Sequence, residues 1–136
     1  MKTTIILSIL GVLALLTSFQ QHKSPDTPLN KKGLVKVAIL YPNEEGKTFD
    51  MDYYSQKHMP MVAGLFGDAL KLLEIDKGIS GRTPEEPMPY VAVGYFYFDQ
   101  LSDYENAFGP NAEKILGDIP NYTNIQPVVQ ISEVIQ

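Results

Sequence analysis

Beyond residue 22 the chain holds a single histidine, His58, in the stretch FDMDYYSQKHMPMVAGLFG from Phe49 to Gly67. An imidazole changes charge near neutral pH and can serve as a general acid or base. Tyr54 stands four residues earlier, on the same face of a helix, with Met61 and Leu65 continuing that face. Its phenol can orient the ring or donate a hydrogen bond to a substrate oxygen. These two are the candidate catalytic residues. The structural alternatives are a core histidine bonded to a neighbouring carbonyl and a packing aromatic. Tyr53 lies off the face and is expected to pack or meet solvent. Candidate substrate contacts are Tyr95 and Tyr97, on one face of a strand, and Tyr122 and Asn124, in a loop before the last strand. Ordinary core packing and turn chemistry are the alternatives for these.

Several chemistries are excluded. The chain has no Cys, so thiol catalysis, disulfides and cysteine-based zinc sites are ruled out. No carboxylate sits four residues from His58 on its face, and Asp50 is about two turns away, so no metal site is expected. No phosphate-binding loop, dinucleotide fingerprint or nucleophile elbow occurs, and no cofactor is expected. Leaving out Lys2 and Lys23, nine basic residues face sixteen acidic ones. That surface repels phosphate backbones, which argues against nucleic-acid binding.

The elements that must position these groups follow from periodicity. Leu34–Tyr41 reads as a strand apolar on both faces, followed by a turn at Asn43–Gly46. Asp50 is placed to cap a helix, with Phe49 and Tyr54 as a hydrophobic staple. Pro60 is expected to break that helix at Met59 and to sit in the first turn of its restart, and Gly67 to end it. Within Ala69–Ile79 lies a strand with one polar face, suited to a sheet edge. Tyr90–Phe98, YVAVGYFYF, is a strand apolar or aromatic on both faces. Ser102 and Glu105 are spaced as a capping box for a second helix, interrupted at Gly109-Pro110 and stopped at Gly117. Asp118–Gln126 reads as a loop, and Val128–Ile135 as the last strand. The order βαββαβ implies an α+β ferredoxin-like fold: a four-stranded antiparallel sheet with two helices on one face. Two helices leave the other face bare, and strands one and three are apolar there too. A second copy of the sheet is the expected cover, giving a homodimer.

Residues 1–21 carry Lys2 and an apolar core from Ile5 to Leu16. That is the shape of an export signal, with an uncleaved membrane anchor as the alternative; the core is shorter than a spanning helix needs. The expected location is periplasmic or secreted, with membrane contact only through an uncleaved leader. Residues 22–33 read as a polar tether and 34–136 as the folded domain.

The segments VKVAILYP, FDMDYYSQKHMP, PYVAVGYFYF and ILGDIPNYTNIQPVVQISEV resemble the EthD family of the dimeric α/β-barrel superfamily. The resemblance spans about Leu34 to Val134 and is most specific at YYxxKHMP and PNYTNxQP. It implies a homodimer whose two sheets form a barrel with the helices outside, and a pocket between helices and sheet. It also implies activity on a small hydrophobic or aromatic compound without a required cofactor, as a monooxygenase-like oxidoreductase or as an isomerase or dehydratase. An exported binding protein for a small hydrophobic ligand, or for haem with His58 as axial ligand, is the alternative. The leader departs from the family pattern and sits uneasily with a cytoplasmic metabolic role.

Overall fold

The computed structural model describes residues 28–136, so the expected leader lies outside the described residues. Four strands, β1 (Val35–Pro42), β2 (Leu72–Lys77), β3 (Tyr90–Phe98) and β4 (Val128–Glu133), form one antiparallel sheet in the order β2-β3-β1-β4. The two richest apolar strands take the centre, and the strands with polar faces take the edges, as burial demands. Register places Val37 opposite Phe96, Ile39 opposite Gly94 and Tyr41 opposite Ala92. Because side chains alternate, this single set faces the helices. Val37, Tyr41, Ala92, Phe96 and Phe98 are buried there. The fold is ferredoxin-like.

The first helical segment is α1 (Met51–Tyr53), a π turn (Tyr54–His58) and α2 (Met59–Phe66). Asp50 caps it, its side chain accepting from Tyr53 N at 2.9 Å. The staple is present, with the Phe49 and Tyr54 rings 5.1 Å apart. Gly67 ends it at φ 55°, a region that favours glycine. Pro60 sits in the first turn of α2, as expected, but the chain does not leave helical geometry before it. Met59 stays helical (φ −64°, ψ −40°), and its N–H reaches back five residues to the Tyr54 carbonyl. Proline lacks an N–H and crowds the carbonyl four residues back. Widening the preceding turn by one residue relieves that conflict without ending the helix.

The second helical segment is α3 (Leu101–Phe108) and α4 (Ala112–Asp118), separated by a 3-10 turn at Gly109–Asn111. The interruption at Gly109-Pro110 is as expected; the capping box is not. The helix opens two residues earlier, with Gln100 in place of Ser102 at the cap position, extended and with no side-chain cap bond. The helix also runs past Gly117 to Asp118 and on into a 3-10 turn at Ile119–Asn121. Asp118 therefore lies at a helix end and not in a loop. The loop after it is fastened to the one before α1: Asp50 N donates to Tyr122 O at 2.8 Å and Thr123 Oγ1 to Thr48 O at 2.7 Å. That stitching sets the start of the first helical segment beside the end of the second.

Candidate functional site

The helical layer and the sheet enclose an apolar cavity of about 100 Å³. Phe96, Val37 and Ile39 form its floor on the sheet, Tyr104, Phe108 and Ile115 one wall, and Tyr54, His58 and Met59 the other. Leu116 of α4 and Val129 of β4 also line it, and each is about half exposed, so the cavity meets the surface between them.

His58 is almost wholly buried at 4 % exposure. Its Nδ1 lies 2.8 Å from Asp118 Oδ2. The other oxygen of Asp118 accepts from Tyr53 Oη at 2.9 Å and from Asn121 Nδ2 at 2.9 Å. A carboxylate on Nδ1 places the proton there and leaves Nε2 with its lone pair. Burial pushes the His58 imidazole below its ordinary value; the hydrogen bond and charge of Asp118 pull upward but do not overcome it. Burial works against the Asp118 carboxylate as well. There the hydrogen bonds from His58, Asn121 and Tyr53 win and hold its pKa below the ordinary value. At neutral pH the pair is a neutral imidazole backed by a carboxylate, the arrangement of an oriented general base.

Tyr54 stacks on His58 with ring centres 5.9 Å apart and planes 18° from parallel. Its hydroxyl is buried and has no hydrogen-bond partner among the described residues. A Cβ on Gly94 would meet that oxygen at 2.3 Å, so the missing side chain of β3 is what admits it. Burial drives the phenol pKa far above its ordinary value, and Tyr54 is therefore a neutral donor.

The structure brings His58 and Tyr54 together, as the spacing implies, and separates the other candidates. Tyr95 and Tyr97 point to the opposite face of the sheet and do not reach the cavity. Register forces this, since Phe96 between them faces the helices. Tyr97 Oη instead donates to Glu74 Oε2 at 2.7 Å, within an ion pair of Glu74 and Lys31. Tyr122 is buried behind His58, with ring centres 4.6 Å apart, and its hydroxyl is tied to Tyr41 Oη at 2.6 Å; it supports the imidazole and does not line the cavity. Asn124 is exposed and accepts from Thr48 N at 2.9 Å, which is loop chemistry. The residue that sequence reasoning missed is Asp118, with Tyr53 behind it. Asp118 is sixty positions from His58, beyond any helix spacing, and read as the start of a loop.

The EthD domain profile matches residues 44–126, most of the described chain, including Tyr54, His58 and Asp118. The chain belongs to the EthD domain family. An EthD-like protein from Ralstonia eutropha is 41 % identical, with a TM-score of 0.74, over 77 % of this chain and 95 % of that one. An ethyl tert-butyl ether D (EthD) family protein from Bacillus halodurans is 18 % identical, with a TM-score of 0.50, over 74 % and 97 %. A dimeric protein of unknown function and ferredoxin-like fold from Bacteroides fragilis is 15 % identical, with a TM-score of 0.42, over 76 % and 99 %. No curated protein matches. Within the EthD domain, the matched stretch runs from the turn before α1 to the loop after Asp118, so it contains both halves of the His58–Asp118 pair.

Proposed function

We propose that this EthD-domain protein is a small dimeric enzyme that moves protons on a small, uncharged, apolar molecule. His58 is the general base and acid, Tyr54 assists, and Asp118 positions the imidazole. The observation that carries this reading is the His58–Asp118 pair set in the wall of an apolar cavity. A buried imidazole with one nitrogen held by a carboxylate, and no partner on the other among the described residues, is poised to take a proton from a bound molecule. Isomerisation and dehydration draw on such groups alone. Cavity size supports a small substrate: about 100 Å³ is less than the roughly 150 Å³ of an apolar cavity that takes up benzene. The same size counts against haem on His58.

Pairing of two copies through their bare sheet faces is supported by Leu40, Val91, Val93 and Tyr95, which are only part-buried on the face away from the helices. Export is supported by Lys2 and the apolar run Ile5–Leu16.

The test is NMR titration of His58, its signal assigned by loss in His58→Gln. The expected result is a pKa below about 6.5 and a signal that moves when toluene is added. An ordinary pKa with no response to toluene would discard the reading.

A further inference from the structure

The Asp118 carboxylate stands between two places. Inside is the buried ring of His58; outside is a groove between α2 and α4, lined by Asp118 together with Met61, Lys114 and Asn121. The Asp118 side chain is 17 % exposed, so it reaches both. Lys114 lies four residues earlier on α4, the spacing at which opposite charges meet on one helix face. Among the described residues Lys114 makes no ion pair. Turned outward, the carboxylate would find water and an ammonium group. Turned inward, it is opposed by burial and meets an imidazole that burial keeps neutral. Left to itself, the side chain would favour the groove.

It points inward nonetheless, with Oδ2 2.8 Å from His58 Nδ1. The hold on it is at the other oxygen. Oδ1 accepts from Tyr53 Oη at 2.9 Å and from Asn121 Nδ2 at 2.9 Å. Both donors are themselves fixed. The Tyr53 amide is capped by Asp50, and its ring stacks on Tyr122 with centres 6.1 Å apart and planes 21° from parallel. Asn121 closes the 3-10 turn after α4, and the carbonyl of the next residue, Tyr122, is bound by Asp50 N.

We propose that Tyr53 and Asn121 are positioning residues: they clamp Oδ1 of Asp118 so that Oδ2 stays on His58 and does not swing out to Lys114. The clamp thereby keeps the His58 proton on Nδ1 and a lone pair on Nε2, since the partner of one ring nitrogen sets the form of the other. Neither residue lines the cavity. The inference rests on the proton-transfer reading above and extends it to two groups that act through Asp118.

A clamp and a mere pair of extra hydrogen bonds predict opposite signs. Donation from Tyr53 and Asn121 lowers the Asp118 pKa. If the carboxylate stayed in place without one donor, it would be more basic and would pull the His58 pKa up. If the donor holds it in place, its loss frees the carboxylate, and the His58 pKa falls. The other titratable groups against His58 are Tyr54 on its own helical segment and Tyr122 in the loop before β4, and burial keeps both phenols neutral. Among the described residues the His58 pKa therefore reports the position of one charge.

The experiment is NMR of the protein with nitrogen-labelled histidine, the His58 signals assigned by their loss in His58→Gln. Long-range proton–nitrogen correlations above the His58 pKa show which ring nitrogen holds the proton. The parent should hold it on Nδ1. Tyr53→Phe keeps the ring and its stacking, and should lower both the Nδ1–H share and the His58 pKa. Asn121→Ala, at an exposed position, should move both the same way. Adding Lys114→Met to Tyr53→Phe should restore part of the loss, because the competing partner is gone; no recovery overturns the role given to Lys114. A His58 pKa that rises or stays, with Nδ1–H retained in both single variants, overturns the clamp. If toluene still moves the parent His58 signal in that case, the proton-transfer reading stands without it. A parent His58 with its proton on Nε2 and no response to toluene removes both.

Discussion

At the scale of the residue, His58 is set by opposing effects. Burial disfavours the imidazolium, and Asp118 favours it, with burial the stronger. Removing the carboxylate charge takes away the upward pull and leaves the downward one. Asp118→Asn is therefore expected to lower the His58 pKa further, as read from its imidazole shifts. A rise, or no movement, would show that the 2.8 Å contact carries no charge–charge attraction. The sign matters for function: a weaker base in Asp118→Asn should slow proton removal even where ligand still binds. Tyr53 shares Asp118, and the shared carboxylate raises the Tyr53 phenol pKa.

At the scale of the element, a helix and a strand are shaped for each other. The π turn around Tyr54–His58 keeps the helix continuous across Pro60 and aligns the two rings. β3 answers with glycine at position 94, against which the Tyr54 hydroxyl rests. Gly94→Ala puts a methyl group 2.3 Å from that oxygen and 2.6 Å from Met59 Cε, closer than real contacts allow. Overpacking of this kind costs about 1–3 kcal/mol, and the cheapest relief is to push Tyr54 out of place. The expected outcome is a lower denaturation midpoint together with a changed His58 chemical shift. A protein as stable as the parent, with His58 unmoved, would refute the close approach.

At the scale of the whole molecule, the sheet has one covered face and one bare one. The bare face mixes Leu40, Val91 and Val93 with Lys36, Glu74 and Asp76, and Tyr97 is nearly buried there under Lys31. The apolar part runs along the two central strands, the place where a facing sheet would press hardest. Sedimentation equilibrium should give twice the chain mass, and Val93→Lys should shift the protein toward monomer while leaving the His58 signal in place. A parent protein that stays monomeric across the concentration range would remove the dimer from the proposal.

Local pattern was enough for the elements. Alternating apolar residues specified four strands and which of them lie inside the sheet, because a buried strand has no polar face to spare. Asp50, Phe49 and Gly67 announced the first helix, since caps, staples and stops act within a few residues. The neighbourhood of Tyr54 and His58 was legible for the same reason. Three matters were left to the tertiary structure. Which face of β3 looks at the helices depends on what packs above it, and that sent Tyr95 and Tyr97 away from the cavity. Whether Pro60 ends a helix or widens it depends on the packing on both sides of the turn. Asp118 meets His58 only because two distant loops are bonded together at Asp50–Tyr122 and Thr48–Thr123, a contact that no spacing along the chain encodes.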